Sequence, residues 1–138
     1  MVMQGTQLRD SRQRVIYDGD SDRLLAPWYF GLRASEEVAR CERYQRPLTL
    51  LVAAIDVYDR HPFESWLADR LRSTDMVCCG RPSTYFILLV ETDETSAWSV
   101  SQRILDDFKE VSLRMATVPA QLDRFDALMY SLDEMPRH

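Results

Sequence analysis

Directly after Pro47 the chain carries Leu48-Thr49-Leu50-Leu51-Val52-Ala53-Ala54-Ile55, an apolar run too short for a comfortable helix and too continuous for a strand with one wet face. A run of this kind predicts a central strand covered on both faces, because a half-exposed strand would alternate apolar with polar residues. It is also far short of the roughly 20 apolar residues that span a bilayer, so no membrane insertion is expected. The rest of the pattern arranges itself around that strand. Phe30, Ala34, Val38 and Cys41 recur at helical spacing until Pro47 stops them, with Glu36, Glu37, Arg40 and Arg43 assigned to the other faces. Phe63 to Leu71, following His61-Pro62, predicts a short helix. Met76 to Cys79 and Tyr85 to Val90 predict two strands flanking Gly80-Arg81-Pro82-Ser83-Thr84 as a hairpin. Ala97, Val100, Ile104 and Phe108 mark another helix and Val111 to Val118 another strand. Leu122, Phe125, Leu128 or Met129, and Leu132 mark a last helix before Pro136. After a leading helix the order is β-α-β-β-α-β-α, the split βαβ arrangement of a ferredoxin-like α+β core with a central antiparallel sheet.

With 138 residues, 46% of them hydrophobic, the chain holds one compact core. Met1 to Arg14 has few large apolar side chains, and Asp18-Gly19-Asp20-Ser21-Asp22 is turn-rich. A flexible N-terminal arm over residues 1–20 and a single domain over 21–138 are therefore expected, with ordered structure from near Leu24. The net charge of −5 argues against a nucleic-acid or membrane-surface binder, which needs a basic field, but leaves a local anion site open. The three cysteines, Cys41, Cys78 and Cys79, cannot all pair, and no signal-peptide pattern precedes them; a reducing, cytoplasmic setting follows.

One pair of residues stands out chemically. Arg72 and Asp75 lie three apart just before the hairpin, where Arg can donate to the O6/N7 edge of a guanine and Asp can accept from its N1 and N2. The same spacing also describes an ordinary i,i+3 surface pair at a helix end, worth a few tenths of a kcal/mol. Other candidates point to structure rather than chemistry. Cys78 and Cys79 are adjacent in a strand and face opposite ways. His61 and His138 sit in no metal or nucleophile pattern, and Asp56 and Asp59 read as a solvated strand end. No Walker loop, GxGxxG or GxSxG is present.

The stretches Glu37 to Leu51, containing Ala39-Arg40-Cys41-Glu42-Arg43-Tyr44-Gln45-Arg46-Pro47-Leu48, then Leu71-Arg72-Ser73-Thr74-Asp75, then Leu88-Leu89-Val90-Glu91-Thr92-Asp93, resemble a diguanylate cyclase GGDEF domain over most of Leu24 to Glu134. In that family an ARxxRY-x-RPL helix end leads into the first strand, and an RxxD motif lies five residues before the signature hairpin. Gapless counting puts the signature on Arg81-Pro82-Ser83-Thr84-Tyr85, so the domain is a degenerate one. The family's DID-x-FK strand has Ala54 for its first Asp, Asp56 for its second and Asp59 for its Lys. The segment from Asp56 to Arg72 is shortened, and Trp28-Tyr29-Phe30 falls where the LxNR-x-x-F segment would stand. The resemblance therefore implies a GGDEF-like palm core with no catalytic residues, no metal site and no cofactor. It also implies a cyclic di-GMP site at Arg72 and Asp75, matching the family's product-inhibition motif, in a bacterial signalling protein that passes ligand state to a protein partner, with a homodimer left open. The alternative is a nucleotide-independent scaffold for protein–protein interaction.

Overall fold

The computed structural model describes residues 16–18, 21, 23–81 and 83–134. The chain runs β1 (Leu24–Leu25), α1 (Pro27–Tyr44), β2 (Leu48–Ala54), a 3-10 turn (Val57–Asp59), α2 (Arg60–Arg70), β3 (Met76–Arg81), β4 (Thr84–Leu89), α3 (Glu94–Asp107), β5 (Ser112–Val118) and α4 (Leu122–Asp133). Local chemistry sets the ends of these elements. Pro27 opens α1, where its fixed φ and missing N–H suit the first turn, and Gln45 closes it in the left-handed region at φ 55°, its N–H returning to the Cys41 carbonyl. Asp93 caps α3 by accepting from the Ser96 N–H at 2.8 Å, which also holds its carboxyl below the usual range.

The five strands lie in the order β1-β3-β4-β2-β5. β2 pairs antiparallel with both β4 and β5, and β3 with β4 forms the expected hairpin, with a register shift between Cys79 and Arg81. The units β2-α2-β3 and β4-α3-β5 thus interleave as the ferredoxin-like α+β reading requires. β1 is an addition: two residues pairing parallel with β3 at Val77 and Cys78, too short to leave a periodic signal in the sequence.

Helices cover both faces of β2, as its apolar run demanded. Leu48, Leu50 and Val52 enter one core with Phe30, Ala34 and Cys41 of α1 and Phe125, Leu128 and Leu132 of α4. Leu51, Ala53 and Ile55 enter the other with Phe63, Trp66 and Leu67 of α2, Ala97 and Ile104 of α3, and Phe108 just after α3. The polar exception, Thr49, is fully buried. Its hydroxyl donates to the Thr92 carbonyl at 2.8 Å and meets the Thr117 hydroxyl at 2.8 Å, so no polar group is stranded there.

One expectation on α1 is corrected. Glu37 was placed on an outer face because it is charged, but it completes the Phe30, Ala34, Cys41 stripe and is buried, its carboxylate 3.5 Å from Arg33 Nη2. Of Trp28-Tyr29-Phe30, only Phe30 is fully buried, while Trp28 stands exposed. The flexible arm expected over residues 1–20 lies outside the described residues except at 16–18, and there Tyr17 bridges to Leu25 and Asp18 N–H bonds the Leu24 carbonyl at 2.7 Å. Pro136 and His138 also lie outside them. No helix among the described residues is long and apolar enough to cross a membrane.

Gly31 sits inside α1 with open space where a Cβ would project. Gly31→Ala is therefore expected to stabilise the fold by about 0.5–1 kcal/mol through reduced unfolded-state freedom, read as a higher urea midpoint at unchanged m-value.

Candidate functional site

α2 runs out at Arg70, and the chain turns back toward β3 through residues 71–75, the turn closed by Asp75 N–H on the Arg72 carbonyl at 3.1 Å. The Asp75 side chain points inward. Its Oδ2 accepts from the Arg72 backbone N–H at 3.0 Å and from Arg72 Nε at 3.2 Å, and its Oδ1 accepts from Arg72 Nη2 at 2.9 Å and from the Val90 N–H at 3.3 Å. The guanidinium and carboxylate thus meet as a two-pronged fork, the strong geometry for this pair. Arg72 Nη2 also reaches the Val90 carbonyl at 2.6 Å and Thr92 Oγ1 at 2.9 Å, tying the turn to the β4–α3 connection. The asymmetry of exposure matters here: the Asp75 side chain is 4% exposed and the Arg72 side chain 55%. Asp75 is committed to donors of its own chain, whereas Arg72 keeps a flank open to solvent. The hydrogen bonds that Arg72 donates to Asp75 raise its pKa further, so the guanidinium is charged throughout the working pH range.

That open flank borders a pocket of about 250 Å³ between α2 and α3. Arg70, Arg72 and Arg103 line it together with Trp66 and Ser96, over an apolar floor of Leu71, Leu89 and Val100. Trp66 is fixed by its indole N–H on Asp107 Oδ2 at 2.6 Å, and Arg70 lies over its ring at 4.6 Å, a cation–π contact. Asp75 is the one carboxylate among the described lining residues, and its oxygens already accept from Arg72 and Val90. A net positive pocket therefore sits in a chain of net charge −5. The sequence reading singled out Arg72 and Asp75 but missed Arg70, Arg103 and Trp66. Only the packing of α3 beside the end of α2 brings Arg103 to this place, and no local spacing announces it. On the far side of the turn, Arg23 Nη2 donates to the Arg72 carbonyl at 2.8 Å and links the site to β1.

The opposite end of the sheet holds the positions that correspond to the signature hairpin. Ala54 ends β2 exposed, and the Asp56 carboxylate is engaged in accepting the Tyr58 N–H at 2.9 Å. Among the described residues no group of three or more His, Cys, Asp or Glu is placed to hold a metal ion. Asp56 and Glu110 line one open depression together with Ala54, Ser112 and Lys109, whose ammonium competes with a cation for those carboxylates, and the Ala54 position offers no hard oxygen side chain for a Mg²⁺. Tyr85 is fully buried. Its hydroxyl donates to Glu64 Oε2 at 2.5 Å and accepts from Arg60 Nε at 3.4 Å, and burial together with the Glu64 bond pushes its phenol well up.

Cys78 and Cys79 face opposite cores as adjacent strand residues must. Burial pushes the Cys79 thiol up to about 11, countered in part by Arg60. The reactive thiolate is accordingly scarce at neutral pH, and iodoacetamide labelling of Cys79 is expected to be slow at pH 7.5 and to accelerate only as pH approaches about 11. Peptide mapping with and without urea checks this, because unfolding should restore ordinary reactivity.

No family model matches the chain, and no curated protein matches it. Solved structures do. The crystal structure of a DGC protein from Thermotoga maritima superposes with a TM-score of 0.67 at 16% identity, covering 83% of this chain and 97% of that one. A sensory box/GGDEF family protein from Caulobacter crescentus gives 0.63 at 13% identity, over 88% of this chain and 99% of its own. Diguanylate cyclase SiaD from Pseudomonas aeruginosa, solved in complex with its activator SiaC, gives 0.56 at 15% identity, over 96% of this chain and 64% of SiaD. The fold is thus GGDEF-like.

Proposed function

We propose that this GGDEF-like fold works in the cytoplasm as a receptor for cyclic di-GMP rather than as a cyclase, and that it passes the bound state to a protein partner. The observation that carries the reading is the convergence of Arg70, Arg72 and Arg103 on one pocket in which Asp75, the one carboxylate among the described lining residues, is already hydrogen-bonded internally. Such a site favours a ligand that is both anionic and able to accept hydrogen bonds from guanidinium groups. Its volume of about 250 Å³ falls below the ~300–1,000 Å³ of pockets that enclose a drug-sized ligand, so one base or one phosphate enters and the rest of the dinucleotide lies across the surface. Arg72 offers its open flank to guanine O6 and N7, and Arg70 and Arg103 neutralise phosphate. Asp75 holds the Arg72 plane in place and accepts from a guanine edge only where the ligand displaces part of the Arg72 fork.

The absence of catalysis belongs to the same proposal. Its support is Ala54 at the first metal-ligand position and Arg81 to Tyr85, which contains neither glycine nor carboxylate, in place of the signature. Incubation with GTP and Mg²⁺ or Mn²⁺ is expected to give no cyclic di-GMP above a no-protein control, and product from a cyclase-free preparation would overturn this part. Isothermal titration with cyclic di-GMP, GTP and GMP tests the receptor. Micromolar binding of cyclic di-GMP that weakens with added salt is expected, and an unresponsive protein would sink it. One feature favours a second reading, a nucleotide-independent docking scaffold: the Arg72–Asp75–Val90–Thr92 bonds are complete without a ligand. An activator complex of the kind seen with SiaD suits either reading, since both need a protein partner.

A further inference from the structure

α1 and α4 pack side by side on the sheet face away from the arginine pocket, and between them runs an open groove of about 680 Å³. Its floor is apolar, from Ala34, Val38, Phe125 and Met129. Trp28, Leu32 and Tyr130 stand along it with 47%, 50% and 63% of their surface exposed, an unusual concentration of large apolar side chains in contact with water. Its charged lining residues, Asp126 and Asp133, are both acidic, and no Lys or Arg lines it among the described residues. The groove therefore fits a segment that is apolar on one side and basic on the other.

Such a segment is attached to this chain. Residues 1–15 contain Met1, Val2, Met3, Leu8 and Val15 together with Arg9, Arg12 and Arg14, against one acid, Asp10. They join the described structure at Ile16, whose carbonyl accepts the Ala26 N–H at 2.7 Å, next to the start of α1, the helix that carries Trp28 in its first turn. Reach is no obstacle. From Trp28 to Val38 the groove follows about 15 Å of helix, while fifteen residues span about 22 Å even if fully helical and more if extended. We infer that the groove between α1 and α4 is the docking site of residues 1–15 of the same chain, whose net positive charge complements Asp126 and Asp133.

Hydrogen exchange of the full chain, read by mass spectrometry, tests the inference. The amides of residues 1–15 are expected to exchange at least tenfold more slowly than in a synthetic peptide of those residues alone. Leu32→Glu, a change on an exposed helix surface, should abolish that protection. The pair Asp126→Arg and Asp133→Arg should abolish it too, and adding Arg12→Asp and Arg14→Asp should restore it, an outcome that mere loss of folding cannot produce. Peptide-like exchange in the parent, or protection indifferent to the groove substitutions, would overturn the inference. So would protection that rises with protein concentration, because it would assign the groove to a second copy.

Discussion

Phe63→Ala is expected to remove about 3–5 kcal/mol of stability, a large share of the ~5–15 kcal/mol by which a domain of this kind is folded. Phe63 has no exposed surface and forms the hub of an aromatic cluster, with ring centroids 5.1 Å from Tyr85, 5.1 Å from Phe108 and 6.4 Å from Trp66. Truncation forfeits the transfer free energy of the ring and leaves a cavity between α2, β4 and the end of α3, where close packing allows little collapse. Tyr58→Ala supplies the comparison. That ring is 89% exposed on the 3-10 turn, and its loss should stay within about 0.5 kcal/mol. Urea unfolding of the two variants beside the parent checks both values, and a Phe63→Ala midpoint close to the parent's would contradict the assigned packing.

At the arginine pocket, Arg72→Ala should weaken cyclic di-GMP binding about 10- to 100-fold, the equivalent of roughly 1.5–3 kcal/mol for a hydrogen bond to a charged group. Arg72→Lys should not restore it, because an ammonium offers no planar fork either to Asp75 or to a guanine edge. Two neighbouring substitutions separate recognition from architecture. Asp75→Ala leaves the Val90 N–H and the Arg72 N–H without their carboxylate and should cost about 2–3 kcal/mol of stability whatever the ligand does. Arg103 is exposed on α3, so Arg103→Ala should change stability by less than about 0.5 kcal/mol while still weakening binding. Titration and urea unfolding of this pair of variants decide between receptor and scaffold. Unchanged affinity in Arg103→Ala, set against a parent that binds, would remove the pocket from the account.

Much of this architecture could be read along the chain, and for a physical reason. Burial on a strand repeats every two residues and on a helix every 3.6, so Leu48 to Ile55 declared a strand covered on both sides and Phe30, Ala34 and Cys41 a helix with one buried stripe. Turn chemistry at Gly80 to Thr84 placed the hairpin, and the three-residue spacing of Arg72 and Asp75 placed them on one turn. Charge misled at Glu37, where the helical period outweighed the preference of a carboxylate for water. What the sequence could not contain was the meeting of surfaces far apart in it. The parallel docking of β1 on β3, the inward aim of Asp75 beneath Val90, and the convergence of Arg70, Arg72 and Arg103 all depend on sheet order and on how α3 seats beside α2. Periodicity states that a face is buried. Which other face buries it is settled only when long-range pairing closes the sheet, so the four long helices and strands β2 to β5 were determined by the sequence alone, while β1 and the pocket around Arg72 were decided by their assembly.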